Sequence, residues 1–118
     1  MKERLTYIET SKKKYPMTFN LNVMEEIQEQ YGSLSVWGEL VENLENGEPK
    51  VKELKYGLLS MINEGIDIEN ENNGTKEPFL NSKQIGRIIT EIGLEKIFEK
   101  IKELSVNSSS GEEEPKNE

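Results

Sequence analysis

Residues 17–32, MTFNLNVMEEIQEQYG, change periodicity half-way along. Met17, Phe19 and Leu21 alternate with Thr18, Asn20 and Asn22, as in a strand with one face on a core. Met24, Ile27 and Tyr31 then recur at i, i+3 and i+7, one stripe of a helix, before Gly32. A strand that feeds straight into a helix has to bury its apolar side against the same core as the helix. This requirement narrows the chain to an α+β arrangement, mostly α, with a hairpin at the N-terminal end.

The rest of the sequence fills in that arrangement. Residues 5–10, LTYIET, set Leu5, Tyr7 and Glu9 against Thr6, Ile8 and Thr10, and their β-branched and aromatic content suits a strand. They pair naturally with residues 17–21, giving a hairpin over 5–21. The connection SKKKYP holds Pro16, which cannot donate to a ladder, and its three lysines read as a solvated loop tip. Asn22 is the expected N-cap of the first helix, and Gly32 fits the left-handed position after its last turn. Ser33 or Ser35 starts a second helix with Trp37, Leu40, Val41 and Leu44 on one stripe, where the single tryptophan reads as core.

Asn46-Gly47 marks a turn and Pro49 suits a first helical turn. A helix over 51–64 follows, burying Val51, Leu54, Leu58, Met61 and Ile62 and ended by Gly65. Gly57 inside it costs up to about 1 kcal/mol relative to Ala, so either another backbone packs closely there or the helix is not optimised. Residues 65–80, GIDIENENNGTKEPFL, read as a mobile acidic loop tacked down by Ile66, Ile68, Phe79 and Leu80. Asp67, Glu69 and Glu71 alternate like calcium ligands, but the EF-hand positions for Gly and the bidentate Glu hold Asn72 and Pro78.

Asn81-Ser82-Lys83-Gln84 is a helix-start signature with Gln84 able to reach back to the cap. Ile85, Ile88, Ile89 and Ile92 follow on one stripe, then Gly93. A last helix over 94–104 carries Leu94, Ile97, Phe98, Ile101 and Leu104 on one face and charged residues on the other. The expected folded domain is therefore 1–104, a hairpin over 5–21 and about five short helices over 22–104 packed as a small bundle. Residues 105–118, SVNSSSGEEEPKNE, form a disordered acidic tail.

Composition limits the chemistry. The chain has no Cys and no His, which removes thiolate and imidazole nucleophiles, bases and metal ligands together. No catalytic constellation, phosphate loop or nucleophile elbow stands out, and the expectation is a protein that is not an enzyme, with no cofactor or metal. A net charge of −8 argues against general nucleic-acid binding. The two helices over 82–104 outline a helix-turn-helix, yet the would-be recognition helix carries Glu95, Glu99 and Glu103, which repel phosphate. No run approaches the roughly 20 apolar residues of a membrane span, and no charged-then-apolar leader opens the chain. The expectation is a protein made and kept in the cytosol, without membrane or nucleic acid as partner.

Three segments carry a family resemblance: MTFNLNVMEEIQEQYGS, VKELKYGLLSMINEGIDIENE, and PFLNSKQIGRIITEIGLEKIFEKIKEL with the acidic EEEPKN tail. Together they resemble the tail assembly chaperones of tailed phages and prophages of Gram-positive bacteria, over about residues 5–118. In that family a strand leads into a helix ending in Gly, a middle helix precedes a variable loop, and a further helix opens on a start like that of Leu80, Gln84 and Ile85. The resemblance implies a non-enzymatic protein that binds the tape measure protein, keeps its apolar helices soluble and helps bring tail tube subunits to it. It also implies absence from the mature virion. Phe98, Ile101 and Leu104 are the candidate partner-binding residues on the last helix, although the commoner use of such a stripe is a domain's own core. Self-association is a further option. The competing readings are a structural head–tail adaptor or tail component, and a small helix-turn-helix regulator.

Many members of that family are made in two lengths through a programmed minus-one frameshift. Pro115-Lys116-Asn117 can be encoded as CCA AAA AAC, which contains the slippery heptamer A AAA AAC in the required frame, so Lys116 and Asn117 mark the candidate frameshift position. Intact-mass analysis of everything translated from the native gene with its downstream DNA is expected to show a minor, longer product that shares this N-terminus and departs from it near Lys116. A single product ending at Glu118 would rule the frameshift out.

Overall fold

The computed structural model describes residues 5–42 and 50–113, with side-chain surroundings described through Ser105. Two antiparallel strands, β1 (Thr6–Glu9) and β2 (Lys14–Met17), form a hairpin. Five helices follow among the described residues: α1 (Leu21–Tyr31), α2 (Leu34–Glu42), α3 (Val51–Asn73), α4 (Ser82–Ile92) and α5 (Leu94–Glu113). The α+β, mostly helical arrangement expected from the periodicity is the one observed. Helix α3 is its axis: β2, α1, α2 and α4 all pack on it, and α5 packs on α4.

The second strand lies earlier in the chain than the alternation over 17–21 suggests. Register pairs Thr6 with Met17, Tyr7 with Pro16, Ile8 with Tyr15 and Glu9 with Lys14. Pro16 is thus inside the strand, which a two-stranded sheet tolerates because one edge of each strand has no ladder partner. The inward residue of β1 is Ile8, and Tyr7 is exposed. Pro16, Met17, Thr18 and Phe19 are buried in succession instead of alternating. After Met17 the chain leaves its partner strand and runs along α3, where the Thr18 amide donates to the Met61 carbonyl at 3.3 Å. The N-cap of α1 shifts correspondingly from Asn22 to Asn20, whose side chain accepts from the Val23 amide at 3.2 Å. Val23 and Ile27 are buried, whereas Leu21 is 72% exposed.

Helix α3 corrects the largest expectation. Gly65 does not end a helix at residue 64; α3 continues for 23 residues to Asn73 and is closed by Gly74 in the left-handed conformation, φ 68°. The apolar stripe Leu54, Leu58, Met61, Ile62 continues through Gly65 to Ile66, all buried. A Cβ built on Gly65 would lie 2.7 Å from the carbonyl carbon and oxygen of Pro16 and 2.9 Å from the Met17 nitrogen. Gly65 is therefore where the strand backbone crosses the helix. Gly57 answers a different neighbour: its Cβ would fall 2.3 Å from Cζ2 of Trp37, so an indole ring, not another backbone, occupies the space. Trp37 is 4% exposed and its Nε1 donates to the Glu53 carbonyl at 3.0 Å. Val51, expected in the core, is exposed.

The mobile acidic loop shrinks to residues 74–81, and two asparagines of α3 hold it. Asn70 accepts from the Glu77 amide at 3.0 Å and donates to the Glu77 carbonyl at 3.1 Å. Asn63 accepts from the Leu80 amide at 2.8 Å and donates to the Leu80 carbonyl at 3.1 Å. Each side chain pairs with a backbone unit as a neighbouring strand would, satisfying peptide groups that have no other ladder. At the far end of the connection the expected cap forms in full, with Gln84 N bonded to Asn81 Oδ1 at 2.9 Å and Asn81 N to Gln84 Oε1 at 2.8 Å.

Ser33 starts α2, its Oγ accepting from the Val36 amide at 3.1 Å. The turn at Asn46-Gly47, Leu44 and Pro49 lie outside the described residues. Helix α5 runs beyond Leu104 to Glu113, so helical backbone continues nine residues into the segment assigned to the tail; Glu114 to Glu118 lie outside the described residues. Among the described residues, no helix is long and apolar enough to cross a membrane.

The glycines make the packing testable by urea denaturation. Gly65→Ala and Gly57→Ala are each expected to lower stability by about 1–3 kcal/mol, because the added methyl overlaps atoms that are themselves fixed. Gly86→Ala meets only Lys55 Nζ at 3.5 Å and Cε at 3.6 Å. That substitution is expected to raise stability, by up to about 1 kcal/mol, through helix propensity alone. Equal midpoints for all three variants would contradict the close approaches on α3.

Candidate functional site

A groove of about 430 Å³ lies between helices α1 and α3. From α1 it is lined by Asn22, Val23 and Glu26; from α3 by Tyr56, Leu59, Ser60, Asn63, Glu64 and Asp67; and from the α3–α4 connection by Phe79. The α3 residues recur at three- and four-residue spacing, which is why one helix face supplies most of the wall. Val23 is buried beneath it, Tyr56 and Leu59 are half-buried, and Phe79 stands 57% exposed at the rim. Among the described residues the lining holds three carboxylates and no Lys or Arg.

Two of the three carboxylates are held in place by neutral donors. Glu64 Oε2 accepts from Asn20 Nδ2 and from Asn22 Nδ2, both at 2.9 Å. Glu26 Oε1 accepts the Ser60 hydroxyl proton, and the Tyr56 hydroxyl donates to the Glu26 carbonyl at 3.2 Å. Asp67 is exposed. Among the described residues one ion pair forms, Lys13 to Glu77 at 3.9 Å, and it lies on another part of the surface. Among the described residues, no Lys or Arg pairs with a groove carboxylate.

The tyrosines report this environment. The Tyr56 phenol is pushed above its ordinary value of 10.0 by burial first, then by the charges of Glu26 and Glu29. Tyr31 packs edge-on against it, with ring centroids 5.6 Å apart, and its phenol is raised by burial, then by Glu53 and Tyr56. The Tyr31 hydroxyl is buried, with no hydrogen-bond partner among the described residues. An apolar floor with negative groups at its edges offers shape and charge to a ligand, not reacting groups.

The residues singled out on the last helix fall elsewhere. Ile101 is 2% exposed and belongs to the core, so it faces the domain and not a partner. Phe98 and Leu104 are half-buried and pack against the same core, and Lys102 Nζ lies 5.7 Å from the Phe98 ring. Glu95, Glu99 and Glu103 are all exposed on the outer face of α5. Lys116 and Asn117 lie outside the described residues. Asp67, Glu69 and Glu71 span just over one turn of α3, and helical geometry turns Glu69 away from the other two; Glu69 accepts instead from the Tyr7 hydroxyl of β1. Among the described residues no three acidic side chains are placed to hold a metal ion.

The groove escaped the sequence reading because it needs α3 to run past Gly65. Asn63, Glu64 and Asp67 straddle the expected helix end. The signal available was the stripe continuing from Met61 and Ile62 to Ile66 at helical spacing. The chain matches no family model, no curated protein and no solved structure.

Raised phenol values have a fixed consequence for pH dependence. Below pH 10 folded and unfolded chains both hold the phenolic protons; above it the unfolded chain loses them first, so stability falls as pH rises through the folded values. Glu26→Gln is expected to move the Tyr56 phenol down towards 10, read from tyrosinate absorbance against the Tyr56→Phe variant. An unchanged titration would remove Glu26 from the field at this phenol.

Proposed function

We propose that this protein is a tail assembly chaperone of a phage or prophage, a non-enzymatic protein of the host bacterial cytoplasm. In this reading it binds the tape measure protein, keeps it soluble, helps recruit tail tube subunits, and leaves before the virion is complete. The specific assignment rests on the family resemblance of the three segments around α1, α3 and α4–α5. The structural observation that supports a binding role is the open groove between α1 and α3, apolar in its floor and carrying three carboxylates in its lining. An exposed Phe79 at such a rim is apolar surface that a partner would cover.

A chaperone raises the soluble fraction of its client and is not retained in the product. Co-expression with the tape measure protein encoded in the same phage genome is expected to move that protein from the pellet to the supernatant. Mass spectrometry is expected to find this chain in the infected-cell lysate and not in purified virions. A fixed stoichiometry in virions would establish the adaptor reading instead, and an unchanged soluble fraction would remove the chaperone reading.

A further inference from the structure

We propose that the α1–α3 groove is the client site and that its occupant is a basic amphipathic helical segment, its apolar stripe on Tyr56, Leu59 and Phe79 and its lysines or arginines against Glu26, Glu64 and Asp67. The assignment of a client rests on the chaperone reading; the chemistry of the occupant follows from the groove.

Charge selects the partner. Among the described residues, three carboxylates line the groove, no basic residue does, and no ion pair neutralises them. The hydrogen bonds from Asn20, Asn22 and Ser60 use neutral donors, so they orient Glu64 and Glu26 without cancelling their charge. An acidic or neutral apolar segment would leave these groups facing apolar surface or like charge as water is displaced. A cationic one supplies the missing partners and gains rate from long-range attraction.

Length and spacing select a helix. From Tyr56 to Asp67 the α3 wall rises about 16 Å at 1.5 Å per residue, close to three turns. The connection that carries Phe79 is itself anchored to α3 through Asn63 and Asn70. That anchoring presents the exposed ring as a fixed end wall. An occupant with apolar side chains at i, i+4 and i+7 would place one on each turn of the wall, the helix-in-groove mode. Phe98, Ile101 and Leu104 cannot serve in the same way, because Ile101 is already consumed by the core.

The test uses the full chain and two fluorescent synthetic peptides of about 15 residues, roughly four turns each. Both carry leucine at i, i+4, i+7 and i+11; one has lysine at the flanking positions and the other glutamate. Titration at low salt is expected to show saturable binding of the lysine peptide only. Asp67→Asn is expected to weaken it about threefold, as for one partly exposed charge pair, and added salt to weaken it further. Phe79→Ala is expected to weaken it about tenfold as loss of an apolar anchor. Both residues are exposed, and an unchanged urea midpoint would show that each variant folds.

Glu95→Gln with Glu99→Gln, on the outer face of α5, is expected to leave binding unchanged. Equal binding of the two peptides, or an α5 variant as damaging as Asp67→Asn, would overturn the groove assignment. Undiminished binding by the Phe79→Ala variant would do the same. If the tape measure protein is solubilised equally well by the groove variants, the groove proposal fails and the chaperone reading stands. If the lysine peptide binds in the groove and the tape measure protein stays insoluble, the chaperone reading fails and the groove stands.

Discussion

Helix α3 can serve as an axis because the backbone of β2 reaches it at Gly65. With Pro16 atoms 2.7 Å from where a Cβ would stand, any other residue would push the hairpin outward. The same missing side chain leaves the Met61 carbonyl, one turn earlier, open to the Thr18 amide. That bond joins the exit of the hairpin to the helix and sets where Asn20 can cap α1. The position of α1 against α3, and therefore the groove between them, starts from this close approach and is held by the hydrogen bonds of Asn22, Glu26, Tyr56, Ser60 and Glu64.

Trp37 over Gly57 repeats the device on another side of the helix. There an indole, not a backbone, fills the space left by glycine, and its Nε1 bond to the Glu53 carbonyl fixes its orientation. Two glycines that would weaken an isolated helix become contact points for β2 and α2. The penalty in helix propensity, up to about 1 kcal/mol each, is offset by burial that a larger residue would prevent. A thin core is held by such approaches along one long helix, with the asparagine clamps at Asn63 and Asn70 keeping the chain beyond it in place.

The axis leaves one flank open. The side of α3 that faces α1 is not fully covered, and Glu64 on it and Glu26 on α1 are oriented by neutral donors. The family resemblance and the groove are separate supports for the proposed binding role: one comes from three sequence segments, the other from the space between two helices. The apolar stripe of α5, by contrast, packs on the core of the domain.

The sequence by itself determined the class of the fold, the hairpin at its N-terminal end, the core stripes of α4 and α5, and the capping box of Asn81 and Gln84. These are local properties, set by periodicity and by residues within one turn of each other. Tertiary structure decided where β2 lies, whether Gly65 ends a helix or receives a strand, and which apolar residues are left exposed. A glycine in a helical pattern has the same local preference whether it stops the helix or admits a neighbour. Only the neighbour distinguishes the two, and in this protein that neighbour is Pro16, 49 residues earlier in the chain.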